Sequence, residues 1–215
     1  MSSVDGLQSS VFELYLKELI AWNEKFNLTA ITDPDEIREK HFADSLLLDR
    51  VIQLTDQSVV DIGAGAGFPG LPLKIVHPGI KLTLLDSVGK KVEFMKHLIK
   101  VLELKETAAI WARAEDHAKE HRGSFDLAVA RAVADLRTLS EYCLPLVKVG
   151  GLFVAWKEVA IEAETQAAAP ALAALGGRLR EIRKFPARSL VLIDKIAPTP
   201  PQYPRRPGMA KKHPL

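Results

Sequence analysis

The chain has a single cysteine, Cys143, so it can form neither an internal disulfide nor a cysteine-cluster metal site. That thiol lies in the apolar run EYCLPLV and reads as a core residue rather than a nucleophile. No run of about 18 apolar residues occurs, so no membrane association is expected. The opening MSSVDGLQSS has neither the basic nor the apolar stretch of a signal peptide, and a cytoplasmic location is expected. The six histidines have no ligand spacing, and no metal is expected. A G-x-S-x-G nucleophile elbow is also missing. No internal repeat is found, and no low-complexity tract besides a run of alanines.

What remains is an ordinary globular composition, 47% hydrophobic and 26% charged, in 215 residues. That length suits one ample domain with an appendage. The net charge is only +2, but it is unevenly spread. From Arg178 to Leu215 ten Lys or Arg face only Glu181 and Asp194. A basic end on a mildly acidic body points to a polyanionic partner, or to a solvated tail.

Residues 11–28 carry Phe12, Tyr15, Leu16, Leu19, Trp22 and Phe26 at steps of three and four, which predicts an amphipathic helix. Asp33, with Pro34 behind it and Glu36 three residues on, predicts a capped second helix running to about Ile52. From Ser58 the character changes. SVVDIG, IKLTLLD, TAAIWAR, FDLAVAR and GGLFVAWK read as strands, and LPLKIVH, GKKVEFMKHLIKVLEL and LRTLSEYCLPLVK as helices. The alanine-rich AIEAETQAAAPALAALG reads as a helix interrupted at Pro170, and two strands flank Pro186. This alternation predicts an α/β, doubly wound, mostly parallel sheet with one antiparallel strand, preceded by a helical extension. The expected divisions are 1–55 for the extension, 56–197 for the sheet domain and 198–215 for a basic, Pro-rich tail. The tail, APTPPQYPRRPGMAKKHPL, is too rich in proline for regular structure and is expected to be extended, docked or mobile.

Four glycines and two prolines crowd VDIGAGAGFPGLP directly after the first strand. In such sheets the ligand sits at the carboxyl ends of the strands, where a glycine lets backbone approach it. Gly65, Gly67 and Gly70 satisfy G-x-G-x-x-G, and Asp86 lies 21 residues after Gly65 at the end of the second strand. A carboxylate there can accept from both ribose hydroxyls, so a nicotinamide dinucleotide is one candidate. Two features count against it. Asp61, just before the loop, would repel a diphosphate, and Pro69 and Pro72 remove backbone donors a diphosphate needs. S-adenosylmethionine, a cation without phosphate, suits the loop better.

The stretches WNEKFNLTAI, HFADSL, DIGAGAGFPGLPL, LLDSVGKKVEFM, ARAED, FDLAVARAVA and YPRRPGMAKKHPL follow one another from residue 22 to the C-terminus. Together they resemble the RsmG (GidB) family, guanine-N7 methyltransferases of small-subunit (16S) ribosomal RNA on the class I, Rossmann-like methyltransferase fold. The resemblance implies S-adenosylmethionine as cofactor, with contacts at Gly63, Phe68, Ala114, Glu115 and Arg131. Asp86 joins them on the strand-end argument. It also implies ribosomal RNA of the small subunit as partner, free or within the subunit; a monomeric chain is expected.

Guanine N7 already carries a lone pair, so its methylation needs alignment rather than a general base. No catalytic side chain is therefore assigned. His41, Asp44 and Ser45 lie too close on one expected helix to act as a hydrolytic triad. They read as capping and packing residues, or as facing the methyl-transfer pocket. Arg205, Arg206, Lys211 and Lys212, with Arg178, Arg180, Arg183 and Lys184, are the expected phosphate contacts. Two rival readings stay open: an NAD(P)-dependent oxidoreductase, and a non-catalytic RNA-binding module on the same fold.

Overall fold

A computed structural model describes residues 3–215, with side chains from residue 8 onward. The first two residues, part of the stretch searched above for a signal peptide, lie outside the described residues. Seven strands form one sheet: β1 (Ser58–Ile62), β2 (Lys81–Asp86), β3 (Thr107–Trp111), β4 (Phe125–Arg131), β5 (Val147–Lys157), β6 (Gly177–Phe185) and β7 (Arg188–Lys195). Their order is β3-β2-β1-β4-β5-β7-β6. The first five strands pair in parallel, and β7 alone runs antiparallel to both its neighbours. The order reverses between β1 and β4, which opens a crevice at their carboxyl ends.

Helices cover both faces. On one lie α1 (Ser3–Phe26), α3 (Gly70–Val76) and α4 (Gly89–Val101); on the other lie α5 (Ala114–Glu120), α6 (Leu136–Cys143) and α7 (Glu162–Ala174). The strands feed two cores by their twofold alternation. Val59, Leu127, Val129, Val154 and Trp156 point to the first; Val60, Ile62, Ala128, Phe153 and Ala155 point to the second. Both faces being covered is why these strands read as near-continuous apolar runs. Asp61 shares the side of Val59, so its carboxylate is driven into the first core beneath α3.

The extension is anchored as expected but is not one regular helix. Asp33 caps α2 (Pro34–Ile37) by accepting from the N–H groups of Asp35 and Glu36. Glu36 does not complete a capping box; it pairs with Lys40. Beyond α2 the chain widens into a π-helical turn, Arg38–Ala43, and then tightens into a 3₁₀ helix, Leu46–Arg50. Tyr15, Leu16, Leu19, Phe42 and Leu48 enter the same core as Phe68, Leu71 and Trp156. The Tyr15 hydroxyl donates to the Ala66 carbonyl at 2.6 Å, and the Trp156 indole N–H to the Asp44 carbonyl at 2.9 Å.

Two sequence readings need correction. Helix α7 runs through Pro170 rather than breaking there. Pro170 lies on the exposed face, where the carbonyl it leaves unbonded can turn to water. Helix α5, in the segment ARAEDHAKEH, went unrecognised because it is only seven residues long. The tail is docked. Arg122 donates to the carbonyls of Thr199 and Tyr203, and Met209–Lys212 forms one helical turn, α8. Replacing Tyr15 by Phe strands the buried Ala66 carbonyl. We expect a loss of about 1–2 kcal/mol, seen as a lower midpoint in urea unfolding.

Candidate cofactor site

The loop after β1 is fixed by carboxylates accepting backbone N–H groups. Gly65 donates to Asp86 Oδ2 at 2.9 Å and Val88 to Asp86 Oδ1 at 2.9 Å. Gly70, the first residue of α3, donates to Asp61 Oδ2 at 2.8 Å. A Cβ on Gly70 would stand 2.8 Å from that oxygen, so the bond requires glycine. At Gly63 (φ +69°) a Cβ would come within 2.6 Å of Val133, which interlocks the loops after β1 and β4. The latter loop holds Ala132 at φ +55°, an uncommon conformation for a residue with a side chain.

Four further loop donors are consumed as well. Gly63 and Ala64 donate to the Leu85 carbonyl, and Gly67 and Phe68 to that of Ala64. In α3 the Leu71 N–H goes to Gly67 and that of Leu73 to Pro69, and Pro72 has none. The N-terminus of α3 therefore has no free amide to offer a diphosphate.

Above this loop lies a cavity of about 510 Å³ at the ends of β1 to β4. Gly63, Asp86, Ala114 and Glu115, four of the positions named above as cofactor contacts, line it. So do Ser87, Lys91, Arg113, Val133, Tyr142 and Lys211. Its wall carries two buried carboxylates, those of Asp86 and Glu115. Asp61 is not on the wall. It is fully buried beneath the loop, its Oδ1 has no hydrogen-bond partner, and burial raises its pKa to about 7. The repulsion of a diphosphate assigned to Asp61 from sequence is therefore not exerted at the wall, where Asp86 and Glu115 share the surface with Lys91, Arg113 and Lys211.

These features fit S-adenosylmethionine. Asp86 and Glu115 offer acceptors to hydroxyl, amino and ammonium groups, and the backbone at Gly63 leaves room for a ligand lying on the loop.

Phe68 and Arg131 stand apart from the cavity wall, on the side of the helical extension. Phe68 is buried and stacks on His41 at 4.6 Å and on Tyr15 at 5.4 Å. The Arg131 guanidinium lies 4.9 Å from the Phe68 ring centre. Arg131 donates to Asp44 Oδ2 at 2.8 Å, and Arg188 donates to Asp44 Oδ1 at 3.0 Å. His41 bonds Thr29 Oγ1 at 2.9 Å, and burial lowers its pKa to about 4, so it is neutral at pH 7. Ser45 donates to the His41 carbonyl. His41, Asp44 and Ser45 thus pack and position, and form no nucleophilic relay.

Sequence reasoning missed Lys157 and Arg188. Lys157 donates to the Ala134 carbonyl at 2.9 Å and pairs with Glu164 at 2.6 Å, holding the loop after β4. Only the parallel alignment of β5 with β4 brings it there, so spacing along the chain gave no signal. Among the described residues, no group of three or more His, Cys, Asp or Glu could hold a metal, and no helix is long and apolar enough to cross a membrane.

The raised pKa of Asp61 has a sign that can be tested. Between its ordinary value of 3.8 and about 7, the folded chain keeps a proton that the unfolded chain has lost. This contribution to stability is full below pH 3.8 and disappears as pH rises through 7. Asp61→Asn is expected to flatten that decline, as read by denaturant unfolding at pH 5 and pH 8.

Comparison with known proteins agrees with this geometry. Residues 8–191 match the model of the GidB family, described as rRNA small subunit methyltransferase G. The chain is 46% identical over 217 residues to the ribosomal RNA small subunit methyltransferase G of Desulforamulus reducens, covering 97% of this chain and 90% of the relative. It is 47% identical over 219 residues to that of Roseiflexus castenholzii, covering 99% and 94%. Among solved structures, a SAM-dependent methyltransferase from Aquifex aeolicus aligns with a TM-score of 0.57 at 16% identity, over 75% of this chain and 93% of that one. The Thermus thermophilus 16S rRNA N2 G1207 methyltransferase RsmC, in complex with AdoMet and guanosine, aligns at 0.52 and 18%, over 74% and 40%. These two likenesses establish the fold. The full-length relatives establish the rest: the chain belongs to the rRNA small subunit methyltransferase G family.

Proposed function

We propose that this chain methylates N7 of one guanine in small-subunit (16S) ribosomal RNA, using S-adenosylmethionine. One observation carries the choice of cofactor: the amides that open α3, where a diphosphate would sit, are already bonded within the protein, while the cavity wall offers the Asp86 and Glu115 carboxylates as acceptors. That arrangement disfavours the diphosphate of NAD and suits a ligand whose hydroxyl, amino and ammonium groups donate.

When bound, the cofactor supplies an electrophilic methyl group on a positively charged sulfur. The chain's own task is to bind and align. Asp86, with its two oxygens fixed by Gly65 and Val88, has lone pairs left for ribose hydroxyls. Ala114 and Glu115 border the adenosine end, and Gly63 lets the backbone lie against the ligand. Phe68 and Arg131 support the loop from behind rather than from the cavity. Because N7 bears a lone pair, no residue has to remove a proton. His41, stacked on Phe68 of the loop, is turned to Thr29 and Arg131 and is not needed as a base. Positive charge passes to the base during transfer, and carboxylates favour that more than cations would. Paired A-form RNA hides N7 in a narrow groove, so the target guanine lies in a loop, a bulge or an opened helix.

For the RNA, exposed Arg206 and Lys212 are the tail residues suited to phosphate contact. Arg205 is committed to an ion pair with Glu141, and Lys211 lines the cofactor cavity. On β6, Arg178 and Arg180 pair with Asp194, Arg183 with Glu181 and Lys184 with Glu162, but all four remain exposed enough to exchange partners for phosphate.

Three outcomes test this reading. Asp86→Ala should weaken S-adenosylmethionine binding about tenfold or more in calorimetry, because it frees two loop amides and removes the ribose acceptor. Arg206→Ala with Lys212→Ala should weaken RNA binding and lower the slope of log affinity against log salt by about 1–2. Mapping small-subunit RNA from cells with and without the protein should reveal one guanine whose N7 methylation is lost. No difference between the two maps refutes the proposed reaction.

A further inference from the structure

The tail is tied to the cofactor cavity at several points, and the ties come from elements far away in sequence. Glu141, on α6, is fully buried, with a side chain 1% exposed. It accepts from the backbone N–H of Arg205 at 2.8 Å, from its Nε at 2.9 Å and from its Nη2 at 2.6 Å. The same Nη2 also donates to the His213 carbonyl at 2.9 Å. Arg205 therefore closes residues 205–213 into a loop and fastens that loop to α6. Inside it, the Gly208 N–H donates to Glu115 Oε1 at 2.9 Å, and Thr138 Oγ1 donates to the carbonyl of Ala210, itself buried. Lys211, the next residue, is on the cavity wall with Glu115, Arg113 and Tyr142.

A charged hydrogen-bonded pair with one buried partner is costly to break, because the buried carboxylate is left without its cation. Its cost would be hard to account for if the tail were only a solvated RNA-binding arm. It makes sense if the loop must stand in a fixed place. Glu115 borders the adenosine end of the cavity and is at the same time the anchor of Gly208, so ordering of the tail and filling of the cavity act on one side chain.

We propose that residues 205–213 form a latch completing the cofactor site, in which Arg205 is a positioning residue and Lys211 donates to the ring nitrogens or ribose oxygens of the adenosine moiety. Lys211 sits at the adenosine end because an ammonium there meets acceptors and stays away from the sulfonium. The proposal rests on the assignment of S-adenosylmethionine to this cavity.

The test uses the full chain. In calorimetry, Lys211→Ala and Arg205→Ala should each raise the dissociation constant for S-adenosylmethionine on the order of tenfold, as for loss of one hydrogen bond to a charged group. Their effects should not add in the double variant, because Arg205 acts through Lys211. Lys211→Arg should restore most of the affinity. With rRNA as substrate, both alanine variants should raise the KM for the cofactor and leave kcat at saturating cofactor near that of the unaltered chain. A lysine-specific protease should clip the unaltered chain after Lys211 and Lys212 more slowly with S-adenosylmethionine than without it, and clip Arg205→Ala faster. Arg206→Ala, one position along, should change neither the affinity for S-adenosylmethionine nor this clipping. If the unaltered chain binds the cofactor and both alanine variants bind it equally well, the latch is refuted while the methyltransferase reading stands. If the unaltered chain binds none, the reading and the latch fall together. Lys211→Ala keeps the test open should Arg205→Ala unfold, since Lys211 is exposed and no buried group depends on it.

Discussion

Two carboxylates accepting backbone N–H groups hold the site in shape. Asp86 ties Gly65 and Val88, the loops after β1 and β2, to one side chain. Asp61 ties the start of α3 to the strand that precedes the loop. With those amides committed, the loop is preorganised, and the start of α3 offers no free amide to a phosphate. The same bonds explain the glycines: Gly70 leaves room for the Asp61 oxygen, and Gly63 leaves room for Val133 of the neighbouring loop. Cofactor preference thus follows from where the backbone donors go, more than from the motif as a string of letters.

The helical extension works on this loop from behind. Tyr15, His41 and Phe68 make one aromatic stack, and the Tyr15 hydroxyl holds the Ala66 carbonyl. Beside it Asp44 sits between Arg131 and Arg188, so three charged side chains from the extension, β4 and β7 meet in one buried or half-buried cluster. Buried charges of this kind are stable only when paired. The pairing fixes how the extension sits on the sheet, and hence where Phe68 and the loop lie. The tail does the corresponding work on the opposite side through Glu141 and Glu115. The site is accordingly built by both ends of the chain, although its cofactor loop lies in the middle.

Much was legible in the sequence because it depends on local periodicity. The twofold alternation of Val59 to Ile62, the helical spacing of Phe12 to Trp22 and the cap at Asp33 are short-range patterns, and all appear in the structure. Asp86 was legible because strand ends in a parallel sheet converge on one crevice, so its place in β2 gives its place on the cavity wall; Gly63, Ala114 and Glu115 were legible through the family resemblance. Helix α5 and the passage of α7 through Pro170 were not legible. Seven residues give too little period, and whether a proline breaks a helix depends on which way its face looks.

The sequence by itself determined the alternating sheet, the family and the crevice, since each is written in residues near one another along the chain. Only the tertiary structure decided what the charges do. It buried Asp61 below the loop, set Asp44 between two arginines, and turned Arg205 from a free cation into the partner of Glu141. The physical reason is that a charge's role depends on its desolvation and its nearest opposite charge. Both are fixed by residues as far apart as 44 and 188 or 141 and 205, whose meeting no local pattern records.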